Sequence, residues 1–389
     1  MANKRIGLAR ARKAAGFTQE RLAETLGVDT STIARWESGQ LEPSPYRRPK
    51  LARLLMISRE RMEELLQEGT TTPVVGSAWP APVARDDSRT ADLVTVAALR
   101  EQTLQVEAEY ETAPSTQLLA RATQHLARIM FLRAETSSKR IRRELWSVEA
   151  ETATLMGQLI WDASQRRDHR SPRHYFEQAI AAARQVNDPV TEAYAILRKS
   201  YLALYGEKQP DAGLAAAREA ATVAHPASPA LTGLALLHVA EANAMLGERR
   251  ACETALGDAR EQLALISDAD AAGDYFSPAE FDRMAGSCYL FLGLTRHAET
   301  PLGQAARGLA TKKKSQAIVL GNLSLARLRH GEVDGAVEAL HHAIDALELT
   351  WGGGGLNIAF TAGRELRPWR QQPAVQEAGE RLFALMSGA

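Results

Sequence analysis

The chain has 389 residues, too many for one compact helical core, so two or more domains are expected. Lys plus Arg and Asp plus Glu balance at 47 each, yet residues 1–53 hold eleven basic and five acidic side chains, a +6 head on a −6 body. Two cysteines outside any CxxC pair, Cys252 and Cys288, argue against zinc and against a disulfide framework and read as reduced core residues. The polar, basic N-terminus has no signal-peptide core, and no run approaches the ~18 apolar residues of a membrane span, so no membrane partner and a cytoplasmic location are expected.

In chain order, residues 6–15 predict a first helix that Gly16 ends. Residues 17–39 predict two short helices joined by a tight turn. Thr18 is suited to cap the first of the two, since its hydroxyl can accept from an orphan first-turn N–H. Leu22, Ala23 and Leu26 share its inner face, and Gly27 is a left-handed stop. Val28 plugs the gap, Asp29 can cap the next helix, and Ile33 and Trp36 point back to the core. Gln40 to Tyr46 is a loop containing Pro43 and Pro45. A fourth helix starts near Pro49, and a fifth covers 59–67 behind Ser58.

Thr18-Gln19-Glu20, Leu22-Ala23, Leu26-Gly27-Val28, Ile33 and Trp36-Glu37-Ser38-Gly39 resemble the Cro/C1-type (XRE) helix-turn-helix family, with the likeness continuing to Leu65-Leu66. The resemblance implies a five-helix domain over 1–68 that binds double-stranded DNA, its third helix entering the major groove. It places Thr30, Ser31 and Arg35 toward the bases, with Thr32 nearby. Arg35 on guanine O6/N7 is worth ~1–3 kcal/mol of discrimination. Gln19, at the start of the second helix, can clamp a phosphate or a base edge. Where the family carries basic residues after the motif, this chain has Gln40-Leu41-Glu42, so backbone contacts are expected from Arg47 and Arg48, unless these are merely solvated. Trp36 and Glu37 read as structural. A head of this size covers one half-site, so a homodimer on inverted repeats ~34 Å apart is expected, with the body supplying the dimer contact.

Residues 69–90, with Pro73, Pro80 and Pro82 and no helical or strand period, predict a flexible linker. From 91 to 389 the chain reads as helix throughout, which makes the fold class all-α. Its main signal is repetition. Gly331 is followed by Ala336, Leu340 and Ala343; Gly293 by Ala298, Leu302 and Ala305; Gly247 by Cys252, Leu256 and Ala259; Gly206 by Ala212, Ala216 and Ala220. A weaker unit runs from Gly157 through Phe176 to Ala183. The four turn glycines lie 41, 46 and 38 residues apart. The spacing of small residues about each turn resembles a tetratricopeptide (TPR) repeat with lengthened helices or loops. It implies a TPR-like α-solenoid of roughly four to six helical hairpins with a concave binding face. Thr350 to Leu356 reads as a flexible glycine loop, with no GK[ST] to make it a phosphate loop, and 364–386 as a terminal cap.

Polar positions on the solenoid's inner helices, Gln158, Glu241, Arg283, Ser287 and Asn322, are the candidate ligand contacts. Asn322 stands where TPR domains often hold a peptide backbone. No HExxH, GxSxG, GxGxxG or Walker motif occurs, so no enzyme activity and no cofactor are expected. His341 and His342 are adjacent on a helix and point about 100° apart, so no metal site is expected there. The XRE head on a TPR-like body resembles the cytoplasmic peptide-sensing, or quorum-sensing, regulators of bacteria. That implies a transcription regulator whose body binds a peptide, a small molecule or a partner protein. The competing expectation is an interaction scaffold that the head tethers to DNA.

Overall fold

A computed structural model describes residues 8–9, 11, 12, 15, 17–26, 28–38, 41, 43, 48–55, 57, 62, 65, 66 and 91–387. The expected linker at 69–90, the glycine stops at 16 and 27, the Ser58 cap and Arg47 lie outside these residues. The chain divides into two units, Met1–Ala84 and Arg85–Ala389, each described by itself.

In the first unit, α1 (Gln19–Leu26) and α2 (Thr30–Glu37) form the expected helix pair, followed by α3 (Arg48–Leu54). The Thr18 hydroxyl accepts from the Arg21 N–H at 3.1 Å, which fixes where α1 starts. Asp29 stands at the N-cap of α2 without a side-chain bond to it. Leu22, Ala23 and Leu26 of α1 pack on Ile33 and Trp36 of α2, and Leu8, Leu51, Leu55, Met62 and Leu66 complete the core. Each fully buried large side chain contributes ~1.5–3 kcal/mol, so this small core determines the angle between α1 and α2.

The second unit is helical throughout its described residues apart from short turns. Fourteen helices form seven successive hairpins. They are α4 (Leu93–Tyr110) with α5 (Ser115–Glu135), α6 (Lys139–Ala163) with α7 (Arg170–Val186), and α8 (Pro189–Tyr201) with α9 (Pro210–Ala224). Next come α10 (Pro229–Met245) with α11 (Arg249–Leu265), α12 (Pro278–Phe291) with α13 (Thr295–Gly308), α14 (Lys313–His330) with α15 (Val333–Thr350), and α16 (Gly353–Glu365) with α17 (Pro373–Ser387). The first helix of a hairpin packs on its own partner and on the next hairpin, which is the solenoid arrangement. Local chemistry sets the starts. Asp188, Ser228 and Ser277 cap α8, α10 and α12 with their side chains, and each is followed by a proline in the helix's first turn. Gly247, Gly293 and Gly331 turn the chain with φ of 78°, 72° and 97°, a region that L side chains rarely adopt. Ala298, Leu302, Ala305, Ala336, Leu340 and Ala343 are all buried, as the repeat pattern expects. Cys252 and Cys288 are free thiols inside the core.

Two expectations about glycine change. Gly206 is not a left-handed turn; it lies in a π-helical segment, Leu202–Glu207, that continues α8, and the left-handed residue is Lys208. A Cβ at 206 would come 2.6 Å from Nε2 of His169, so any side chain there requires the His169 ring to shift. The glycine run is not a loop beyond Gly352 but the opening turns of α16. At Gly355 a Cβ would lie 2.8 Å from Cβ of Ala317, so the missing side chains let α16 lie close against α14.

The solenoid wraps far enough for its first hairpin to meet its sixth. The Lys314 N–H donates to the Glu111 carbonyl at 3.2 Å, and the Ser315 N–H donates to the Glu111 carboxylate at 3.2 Å. Lys314 Nζ donates to Ser115 Oγ at 2.8 Å and sits 3.9 Å from the Tyr110 ring centre. Tyr275 Oη donates to Glu107 at 3.1 Å. The body's first hairpin thereby contacts both its sixth hairpin and the turn before α12.

Candidate functional site

On α2, Thr30, Ser31, Ala34 and Arg35 are exposed and Thr32 is half-buried, while Ile33 and Trp36 are buried. Positions i, i+1, i+4 and i+5 form one helical face, so the sequence segregates a polar, arginine-bearing stripe from the side that holds the helix in place. Behind that stripe, Glu37 accepts from Arg12 Nε at 2.6 Å, from a second Arg12 nitrogen at 3.3 Å and from Gln19 Nε2 at 2.6 Å. Arg12 also donates to the Phe17 carbonyl at 2.7 Å. Arg12 and Glu37 side chains are 8% and 11% exposed, so this ion pair is internal; it ties Arg12 to α2, while the Gln19–Glu37 bond ties α1 to α2. Glu37 therefore has a structural part, and through it the amide nitrogen of Gln19 is engaged. Arg48 is half-buried and donates from Nε to the Pro43 carbonyl at 2.9 Å.

The inner face of the body carries the second cluster. Tyr194, Arg198, Tyr201 and Tyr205 follow one another at i, i+4, i+7 and i+11, one stripe running from α8 into the π-helical segment. His238 bridges Tyr201 Oη at 2.7 Å and Tyr205 Oη at 2.9 Å. The Tyr205 hydroxyl also donates to Glu241, and Ser287 Oγ donates to the same carboxylate at 2.6 Å. Arg283 pairs with Glu280 at 2.6 Å. Tyr194 stacks on Tyr275, ring centres 4.6 Å apart. Tyr110 Oη donates to Asp162 at 2.7 Å.

Burial shapes the charges here. It pushes the Tyr201 hydroxyl up to about 12, and burial with the neighbouring Glu241 charge also raises Tyr205 well above its ordinary value. Burial holds His238 below the usual histidine range, so it stays neutral between its two tyrosines. Burial also pushes Glu241 up, but hydrogen bonds from His238, Ser287 and Tyr205 outweigh it and keep the carboxylate charged.

Of the expected ligand contacts, Glu241 and Ser287 are in direct bond, and Arg283 stands in the same electrostatic neighbourhood as Tyr205 and His238. Gln158 is buried on α6, near Tyr194. Asn322 is buried on α14, and no hydrogen bond among the described residues ties it to this set. Sequence reasoning missed Tyr110, Tyr194, Arg198, Tyr201, Tyr205 and His238. The signal for four of them was available as a tyrosine–arginine stripe at helical spacing in an alanine-rich stretch. Glu299, His330 and Glu332 lie close enough to share an ion, but Arg296 donates to His330 Nε2 at 2.6 Å and Arg327 to Glu299 at 3.2 Å. Two arginines already supply the positive charge there.

Residues 8–61 match the family model described as Helix-turn-helix, and the first unit is a DNA-binding domain of that class. No curated protein matches the chain. Among solved structures the chain is similar to a Rap protein complexed with competence and sporulation factor, at 12% identity and a TM-score of 0.43, covering 75% of this chain and 98% of that one. It is also similar to PlcR of Bacillus thuringiensis in complex with the peptide PapR7 and DNA, at 13% identity and a TM-score of 0.34, covering 86% of this chain and 100% of that one. Among the described residues no helix is long and apolar enough to cross a membrane.

Proposed function

We propose that this protein is a sequence-specific transcription regulator of bacterial cytoplasm whose DNA affinity is set by a peptide or small molecule on the inner face of its body. The observation that carries the DNA half is the exposed stripe of Thr30, Ser31 and Arg35 on a helix whose opposite side is locked by Ile33, Trp36 and the internal Arg12–Glu37 pair. A helix braced in this way presents side chains to base edges without first having to be ordered. Thr30, Ser31 and Arg35 read bases. Thr32 and Gln19 act beside them, and Arg47 and Arg48 meet the phosphates. The +6 charge of residues 1–53 supplies the sequence-independent attraction.

Support for the regulatory half is the Tyr205–His238–Glu241–Ser287 network with Gln158 and Arg283. A buried polar network of this kind inside a solenoid is costly to assemble, and tyrosines with a polar tip are frequent where partners dock. Two copies of the chain, joined through their bodies, place two heads on an inverted repeat ~34 Å apart. The test is a genomic DNA pulldown with the purified chain, repeated with Arg35→Ala, followed by footprinting and sedimentation of the complex. A palindromic site lost on substitution and occupied by two chains supports the reading. No enrichment over random DNA by the wild type, with any inner-face ligand present or absent, overturns it.

A further inference from the structure

Arg198 differs from Arg283, Arg166 and Lys314 in what surrounds its charge. Arg283 has Glu280 at 2.6 Å, while Arg166 and Lys314 share Asp162 at 3.5 and 3.9 Å. Arg198 has no carboxylate in ion-pair contact among the described residues. Its guanidinium donates to Tyr194 Oη at 2.6 Å and lies 4.9 and 5.2 Å from the ring centres of Tyr194 and Tyr201. Its Nε is buried and has no hydrogen-bond partner. Aromatic faces soften the cost of a desolvated guanidinium, but they do not neutralise it. An arginine framed by two tyrosine rings, bonded to one tyrosine hydroxyl and without a carboxylate in contact is a preorganised receptor for an anion.

The geometry points to Arg198 as the anchor for a carboxylate of the ligand, which is either a peptide C-terminus or a small organic acid. No carboxylate among the described residues contacts this guanidinium, and the two oxygens of a carboxylate fit its planar fork. Tyr201 and Tyr110 flank the position, the latter close enough to Arg198 for their charges to interact. Gln158, through Tyr194, borders it on the α6 side. The assignment rests on the inner face being the effector site, and it names the chemistry that site takes.

The experiment uses the full chain in isothermal titration and thermal melting, with sodium acetate, sodium succinate, tetraalanine as its free acid and tetraalanine amide as probes. Sodium chloride at equal ionic strength is the blank. Free carboxylates are expected to bind and to raise the melting temperature, and tetraalanine amide to do neither. Arg198→Met should weaken the free-acid probes at least tenfold, and Arg198→Lys by less. Acetate and succinate binding as well as tetraalanine marks a small-acid site, whereas tetraalanine free acid alone marks a peptide terminus. Without any probe, Arg198→Met should melt no lower than the wild type, because it removes a charge that lacks a counter-ion. The assignment is overturned if Arg198→Met melts several degrees lower, if free acid and amide bind alike, if wild type and Arg198→Met bind alike, or if no carboxylate binds at tens of millimolar. Carboxylate binding that leaves DNA affinity unchanged would sink the regulatory reading and keep the site. A ligand that shifts DNA affinity while no carboxylate binds would do the reverse.

Discussion

Glu37→Ala tests whether the internal ion pair, rather than the apolar core alone, holds the DNA-reading helix in place. The Glu37 carboxylate accepts three bonds, two from Arg12 and one from Gln19, at 2.6 to 3.3 Å. Removing it leaves Arg12, 8% exposed, as a buried charge without a counter-ion. Breaking a buried pair from one side costs about 3–5 kcal/mol, and the slight exposure of both partners favours the lower end. A unit spanning 8–61 has a native stability of only ~3–8 kcal/mol, so the substitution removes a large share of it. Hydrogen exchange read by mass spectrometry on the full chain separates head from body. Amides of 17–38 should exchange about 100- to 4,000-fold faster, at tenfold per 1.4 kcal/mol, while body amides are unchanged. The double variant Arg12→Met with Glu37→Met replaces the pair with apolar groups of similar length and should restore most of the protection. A change below about threefold in Glu37→Ala, or a double variant as unprotected as the single one, would refute the reasoning.

Arg35→Ala should weaken operator binding by ~1–3 kcal/mol in gel-shift titrations and relax specificity at one base pair, with little effect on random DNA. Gly157→Ala puts a Cβ 2.5 Å from the Phe176 ring and should lower the melting temperature of the body, by ~1–3 kcal/mol of overpacking. Gly257→Ala, mid-helix in α11 with nothing within 4 Å of the new Cβ, should instead raise it by ~0.5–1 kcal/mol. Burial holds His238 and His125 below the ordinary histidine value of about 6.5, so the unfolded chain binds protons there before the folded one does. Stability from these groups is fully present above that value and is lost as pH falls below it, by up to ~1.4 kcal/mol per group per pH unit. Urea midpoints followed by circular dichroism between pH 7.5 and about 5 should fall, and His238→Gln should flatten part of that slope.

How much of this was legible in the sequence depended on the sequence distance over which each feature is decided. The head was open to reading because its determinants are local. Thr18, Leu22, Ala23, Leu26, Ile33 and Trp36 all lie within 19 consecutive residues, and the structure buries or bonds them as their spacing requires. Hairpins built on a glycine turn were equally plain, since a left-handed residue at 247, 293 or 331 can hardly be anything else. The other hairpins were hidden because different chemistry makes their turns. Pro114 opens α5, Gln165 and Arg166 turn left-handed after α6, and Lys208 ends the π-helical segment. A search keyed to glycine therefore expected four to six units where the described residues form seven. The glycine run at 352–355 misled for the opposite reason. Its purpose is set by Ala317 and Leu347, which only the packed structure brings to Gly355.

The inner site shows the same division. Its tyrosine–arginine stripe from Tyr194 to Tyr205 is a single-helix pattern and could have been read directly. What surrounds the stripe could not. Tyr110 reaches Asp162 across 52 residues, Ser287 reaches Glu241 across 46, and Lys314 reaches Ser115 across 199. Those meetings depend on a small rotation repeated at each hairpin, and a modest error per hairpin, accumulated over five of them, would separate Glu111 from Ser315 altogether. Local sequence determines the rotation only through the small residues at each contact, such as Gly157 under Phe176 and Gly286 under Leu302. The closure of the body is therefore a sum over many weakly informative positions, and one added methyl group at such a position is expected to disturb contacts far from it in the chain.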